Sequence, residues 1–170
     1  MSQNFDDGRR RFLGTTAMTL VAAAFADIRP AHALVGAKRS FGPLKQINAG
    51  LLSVGYAEAG PPNGPAVVLL HGWPYDIHSY VDVAPLLASS GYRVVVPYLR
   101  GYGTTRFLSR DTFRNGQPSV VAVDAVALMD ALKIEKAVVG GFDWGARTAD
   151  IMAALWPERC NGIVSVSGYL

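Results

Sequence analysis

Three short runs, AVVLLHG (66–72), RVVVPYLRG (93–101) and KAVVGGF (136–142), are built almost without interruption from β-branched and aliphatic residues. A strand with one face in water alternates apolar and polar side chains, whereas an unbroken run has to be covered on both faces, as in a parallel sheet flanked by helices. The stretches between the runs supply those helices. DVAPLLASSGY (82–92) places Val83, Leu86 and Leu87 on one helical face and ends on Gly91. SVVAVDAVALMDALKI (119–134) spaces Val123, Val126 or Ala127, Asp130 and Ile134 one turn apart, has Ser119 as its candidate N-cap, and is apolar nearly all round, as in a helix packed between neighbours. GARTADIMAALWPER (145–159) reads as a helix ended by Pro157, and NGIVSVSGYL (161–170) as a fourth strand.

Ahead of these, LKQINAGLLSVGYAEAG (44–60) alternates loosely and breaks at 48–50, as two strands joined by a tight turn do. Pro97 marks where the ladder of the second buried strand ends, and the polar, Gly-punctuated stretch 102–118 reads as a long loop. A strand pair followed by strict strand–helix alternation predicts right-handed crossovers, a doubly wound α/β sheet, and ligands at the carboxyl ends of the strands.

Composition fits one such domain, since 50% of the 170 residues are apolar and only 17% charged. The net charge of +3 is scattered, and no basic stripe with interleaved aromatics is present, so nucleic acid is not an expected partner. Cys160 is the sole cysteine, which excludes an internal disulfide and a Cys-based metal cage and leaves it as a small apolar filler. Neither a metal nor an organic cofactor is expected.

Residues 1–33 read as an address rather than as fold. GRRRFLG is followed by a charge-free, weakly apolar run (12–26) and by AHA at 31–33, a small-x-small cleavage pattern. The run is shorter than the roughly 20 residues a membrane span needs, so no stable span is expected. Arg9, Arg10, Phe12 and Leu13 stand where the twin-arginine export consensus places its arginines, aromatic and leucine, although Gly14 departs from its lysine. The expected partner of the precursor is the twin-arginine machinery, the expected destination the bacterial periplasm, and the expected domain 34–170.

VVGGFDWGAR (138–147) carries the chemistry. Gly141-Phe142-Asp143-Trp144-Gly145 has the small-x-nucleophile-x-small spacing of a strained strand-to-helix turn, with aspartate at the nucleophile position. The plain alternative for Asp143 is an N-cap. As a nucleophile, a carboxylate is already anionic near neutral pH, and it is suited to sp³ carbon: displacing a halide or opening an epoxide leaves an ester on Asp143, which activated water then hydrolyses. The oxyanion of the second step develops on the carboxyl group of Asp143 itself. Its donors are expected to be the backbone N–H of Trp144 and, in the HGWP loop (71–74), that of Trp73, because Pro74 has none. The Trp144 indole is a further candidate for holding substrate, and Arg147 is either a structural ion pair or a substrate contact.

HGWP after one strand, RGYG (100–103) after the next and GFDWGAR after the third together resemble the α/β-hydrolase superfamily, in its aspartate-nucleophile branch. The resemblance spans 44–170 and implies the N-terminal half of an α/β-hydrolase fold acting on a small-molecule substrate. HGWP with DWG is more similar to epoxide hydrolases. Haloalkane dehalogenases and haloacetate dehalogenases, the latter with arginines where Trp144 and Arg147 stand, are the alternative. The family's catalytic histidine, its acid partner and its cap domain follow the strand matched by NGIVSVSGYL, so the sequence is expected to stop about halfway through the fold, with an unpaired edge at its last strand. His71 is expected to be a structural loop residue and His78 a helix-start or surface residue. A catalytically incomplete fragment, or a relative retained for ligand binding, is the remaining alternative.

Overall fold

Unbroken apolar runs do become the centre of a sheet. A computed structural model describes residues 40–169; the export-signal pattern of 1–33 lies outside them. The elements are β1 (Lys45–Ala49), β2 (Leu52–Ala59), β3 (Ala66–Leu70), a 3₁₀ turn (Ile77–Tyr80), α1 (Val83–Ser89), β4 (Arg93–Pro97), β5 (Arg106–Phe107), α2 (Pro118–Ala131), β6 (Ala137–Phe142), α3 (Trp144–Leu155), a second 3₁₀ turn (Pro157–Arg159) and β7 (Cys160–Val166). The strand order is β1-β2-β4-β3-β6-β7, with β5 added onto β2. β1 with β2 and β2 with β4 are antiparallel, while β4 with β3, β3 with β6 and β6 with β7 are parallel.

Successive side chains of the central strands enter two different cores. Val68 and Leu70 of β3, Val95 of β4 and Val139 of β6 join the cluster under α2 and α3; Val67 and Leu69, with Val94 and Val96, join the cluster under α1 and the first 3₁₀ turn. That two-sided burial explains why these runs carry no polar alternation. Each fully buried Leu or Val contributes roughly 1.5–3 kcal/mol.

The crossovers reverse direction in the middle of the sheet. From β3 the chain passes to β4 on one side, then returns across β3 to β6 on the other. A reversal of this kind opens a crevice at the carboxyl ends of the two diverging strands, here β3 and β6.

Four expectations are corrected. α2 starts at Pro118, with Gln117 rather than Ser119 as its N-cap, because proline has no N–H to satisfy and its φ already suits the first helical turn. The buried face of α2 is Val121, Ala122, Ala125, Leu128 and Met129, and Val123 is 52% exposed; a helix apolar all round does not announce which face packs. In α1 only Ala84 is buried, while Val83 and Leu87 line an open apolar groove of about 450 Å³ together with Val138, Val164 and Val166. The long loop also contains β5, whose Phe107 and Arg106 pair with Leu52 and Ser53. At the far side β7 pairs with β6, and its residues beyond Cys160 are exposed.

The long loop is pinned by one buried ion pair. Arg100, 8% exposed, donates from Nε and Nη2 to the two carboxylate oxygens of Asp124 on α2 at 2.6 and 2.7 Å, and from Nη1 to the carbonyl of Asn115. Removing one partner of such a pair strands the other charge in a low-dielectric setting. Asp124→Ala is expected to destabilise the protein by about 3–5 kcal/mol, read as a shift of the denaturant midpoint; a loss below about 1 kcal/mol would place the pair among weak surface contacts.

Candidate active site

β3 and β6 pair in register from Ala66 with Ala137 to Leu70 with Gly141, so the segments that leave them, His71-Gly72-Trp73 and Phe142-Asp143, emerge side by side. The turn after β6 is tight because α3 folds directly back over the sheet. A Cβ on Gly145 would lie 1.9 Å from the Leu70 carbonyl oxygen, and one on Gly141 would lie 2.3 Å from the Gly145 backbone. Both positions therefore exclude side chains. Gly72 is excluded likewise, since its Cβ would lie 2.7 Å from that of Asp143.

Asp143 joins β6 to α3 with φ 51° and ψ −116°. Positive φ in a residue with a Cβ costs on the order of 1–3 kcal/mol and persists only where the surroundings enforce it. Here they do: the Asp143 N–H donates to the Val166 carbonyl of β7 at 3.0 Å, and its carbonyl accepts from the Arg147 N–H at 3.1 Å, the first bond of the helix. Its side chain makes no capping bond. The N-cap alternative thus does not describe what the carboxylate does.

The carboxylate instead meets the loop after β3. The backbone N–H of Trp73 donates to Asp143 Oδ2 at 3.2 Å, across 70 residues of sequence. Trp144 opens α3, so its N–H is among the four that a helix leaves without an intrahelical acceptor. Nη2 of Arg147, one turn on, is 3.6 Å from Asp143 Oδ1. The loop is held by Tyr80, whose hydroxyl donates to the Leu70 carbonyl at 2.8 Å and whose ring, with that of Tyr75, packs on Phe142. The Trp73–Pro74 peptide is cis.

Beside this turn lies a cleft of about 260 Å³, walled by Trp73, Leu99, Tyr102, Val121 and Trp144, with Gly72, Gly116 and Arg100 at its margins. Its surface is mostly apolar. Arg100 is already committed to Asp124. Burial and the nearby Asp143 charge push the Tyr102 hydroxyl above its ordinary pKa, so it stays protonated near neutral pH. Tyr102, in the RGYG run that follows β4, faces the cleft. Tyr169 was not anticipated at all: its ring lies 4.2 Å from the Arg147 guanidinium, and its only sequence signal is a place just beyond a strand's carboxyl end.

His71 is fully buried. Its Nε2 accepts from the Leu99 N–H at 3.2 Å, so its Nδ1 carries the proton and faces the Gly72 carbonyl at 3.2 Å. With both nitrogens engaged it ties β3 to β4 and has no lone pair left for a water. His78 is exposed, and its Nδ1 lies 3.0 Å from Asp76. Among the described residues, no group of three or more His, Cys, Asp or Glu is placed to hold a metal, and no helix is long and apolar enough to cross a membrane.

Residues 65–169 match the family model of the alpha/beta hydrolase fold. The chain belongs to the α/β-hydrolase family. It is 41% identical over 110 residues to epoxide hydrolase B of Mycobacterium tuberculosis, covering 63% of this chain and 30% of that protein. The crystal structure of a provisionally assigned epoxide hydrolase from Klebsiella pneumoniae is 67% identical, with a TM-score of 0.75 over 76% of this chain and 43% of that one. An epoxide hydrolase of Vigna radiata superposes with a TM-score of 0.66 at 30% identity, over 72% of this chain and 39% of its own. The chain thus spans 30% to 43% of the length of these relatives.

Burial lowers the pKa of His71 from the ordinary imidazole value of 6.5. Above that value the ring is neutral folded and unfolded alike; below it the unfolded chain takes up the proton first, so stability falls as pH drops from about 6.5 towards the folded value. Melting temperatures measured between about pH 7.5 and 5 should show that decline, and His71→Gln should flatten it. An unchanged slope in the variant would exclude His71 as the titrating group.

Proposed function

We propose that the protein is a hydrolase of the epoxide-hydrolase type, with Asp143 as nucleophile. The observation that carries the reading is the Asp143 carboxylate presented at a strained turn, with the Trp73 N–H on one of its oxygens at 3.2 Å. The identities to epoxide hydrolases support it.

In the first step a carboxylate oxygen attacks a ring carbon of the epoxide from behind the C–O bond. The new C–O ester bond forms, the ring bond breaks, and its electron pair goes to the epoxide oxygen, which then takes up a proton. In the second step water adds to the carboxyl carbon of Asp143, and the negative charge develops on the oxygen that accepts from the Trp73 N–H, with the Trp144 N–H proposed as its second donor. Collapse breaks the bond between the carboxyl carbon and the alkyl-bearing oxygen. A diol leaves with one oxygen from the enzyme, and water replaces that oxygen on Asp143. His71 has no free nitrogen to activate this water, so the base of the second step is assigned to neither nitrogen of that ring.

The cleft favours an uncharged epoxide over a haloacid. Its walls are the aromatic and aliphatic side chains named above, and its one arginine is neutralised bidentately by Asp124. Trp73 and Trp144 are proposed to stack on the organic substituent, and the pattern in residues 1–33 supports an extension of the reading to export through the twin-arginine machinery to the periplasm.

In a single turnover of the full chain in ¹⁸O-water, the diol should leave with unlabelled oxygen and the peptide containing Asp143 should gain the label. Asp143→Asn should reduce ester formation by at least about 10³-fold. Label appearing in the diol on the first turnover, or unchanged turnover of the variant, would overturn the assignment.

A further inference from the structure

Arg147 is one turn from the nucleophile and four-fifths buried at its side chain. Its guanidinium carbon lies 4.2 Å from the ring centre of Tyr169 and 5.1 Å from that of Trp144, within the range of cation–π attraction to both. Its Nε is buried and has no hydrogen-bond partner. A guanidinium normally takes its place from a fork of acceptors; this one takes its place from two aromatic rings and faces one carboxylate. The residues that wall the substrate cleft include Trp144 but not Arg147.

Two contacts then fix the carboxylate of Asp143. Oδ2 accepts from the Trp73 amide at 3.2 Å, and Oδ1 faces Arg147 at 3.6 Å. A carboxylate held at one oxygen can still swing about its Cβ–Cγ bond; a second fixed charge beside the other oxygen opposes that swing. The amide side is where the later oxyanion has to form, which leaves Oδ1 as the oxygen that attacks carbon. Once Oδ1 becomes an ester oxygen the carboxylate charge is gone, and hydrolysis of the ester restores the ion pair.

We infer that Arg147 is a positioning residue for ester formation, orienting Asp143 so that Oδ1 attacks while Oδ2 stays on the Trp73 amide. The inference rests on the epoxide-hydrolase reading of Asp143. It assigns Arg147 to the nucleophile instead of to the substrate.

The test uses Arg147→Met and Arg147→Lys in the full chain, with styrene oxide as the probe and quenched single turnovers as the readout. Arg147→Met should slow ester formation about 10- to 100-fold, with the substrate concentration at half-saturation changed less than about threefold. Arg147→Lys, which keeps the charge on a flexible stem, should recover part of that loss. Melting curves of both variants establish that they are folded, and the ester-formation rate and its half-saturation, read separately, distinguish positioning from binding. A wild-type rate in Arg147→Met overturns the inference while leaving the nucleophile in place. A half-saturation raised tenfold or more at an unchanged ester-formation rate overturns it in favour of a substrate contact. If the unsubstituted protein forms no ester on Asp143 with the probe, the reading of Asp143 itself fails, and the role of Arg147 falls with it.

Discussion

The Cβ that Gly145 lacks would stand 1.9 Å from the carbonyl oxygen of Leu70, so α3 seats only on bare backbone. That approach sets the rest of the site. With α3 pressed onto β3 and β6, the chain has a single residue in which to turn from strand to helix, and that residue takes φ 51° at Asp143. The same approach brings the end of β6 beside the end of β3, and so brings the Asp143 carboxylate to the Trp73 amide. A looser helix would relax Asp143 and lose its donor in one movement.

The reversal of strand order is the second constraint. β3 and β6 are 71 residues apart at their paired ends, Leu70 and Gly141, but adjacent in the sheet, because the chain builds β4 on one side first and then crosses back. The loop carrying Trp73 and the turn carrying Asp143 therefore open into one crevice, as doubly wound sheets do at the point where strand order reverses. Tyr102 reaches the same crevice from the loop after β4, and its edge-on contact with the His71 ring, 4.7 Å between centres, adds to the link between the ends of β3 and β4 through one buried imidazole.

Much of this was legible in the residues because the constraints are short-range or strongly periodic. Unbroken Val and Leu runs can only be two-sided strands, glycines flanking Asp143 can only mark a close backbone approach, and Pro74 removes one of the loop's amides and so singles out Trp73. Other features were hidden for physical reasons. α2 is apolar all round, so Val123 and Val121 are equivalent in sequence and are separated only by which neighbours arrive. The capping of α2 depended on a choice between a hydroxyl at Ser119 and the preset backbone of Pro118, and the proline prevailed. Tyr169 contributes through one ring contact with a residue 22 positions away, which no periodicity encodes.

The two arginines near the cleft show how the same side chain is held for different ends. Arg100 is saturated: Asp124 takes two of its donors and the Asn115 carbonyl a third, an arrangement in which any loss of an acceptor leaves a buried charge exposed to its own field. Such a pair suits a wall that does not change. Arg147 is under-saturated, with a bare Nε and two aromatic faces as its main support. Aromatic faces keep attracting a cation whether or not the neighbouring acid is ionised. A guanidinium supported in that way can remain in place while the carboxylate beside it becomes a neutral ester and then a carboxylate again, which is the cycle that a nucleophilic aspartate has to pass through.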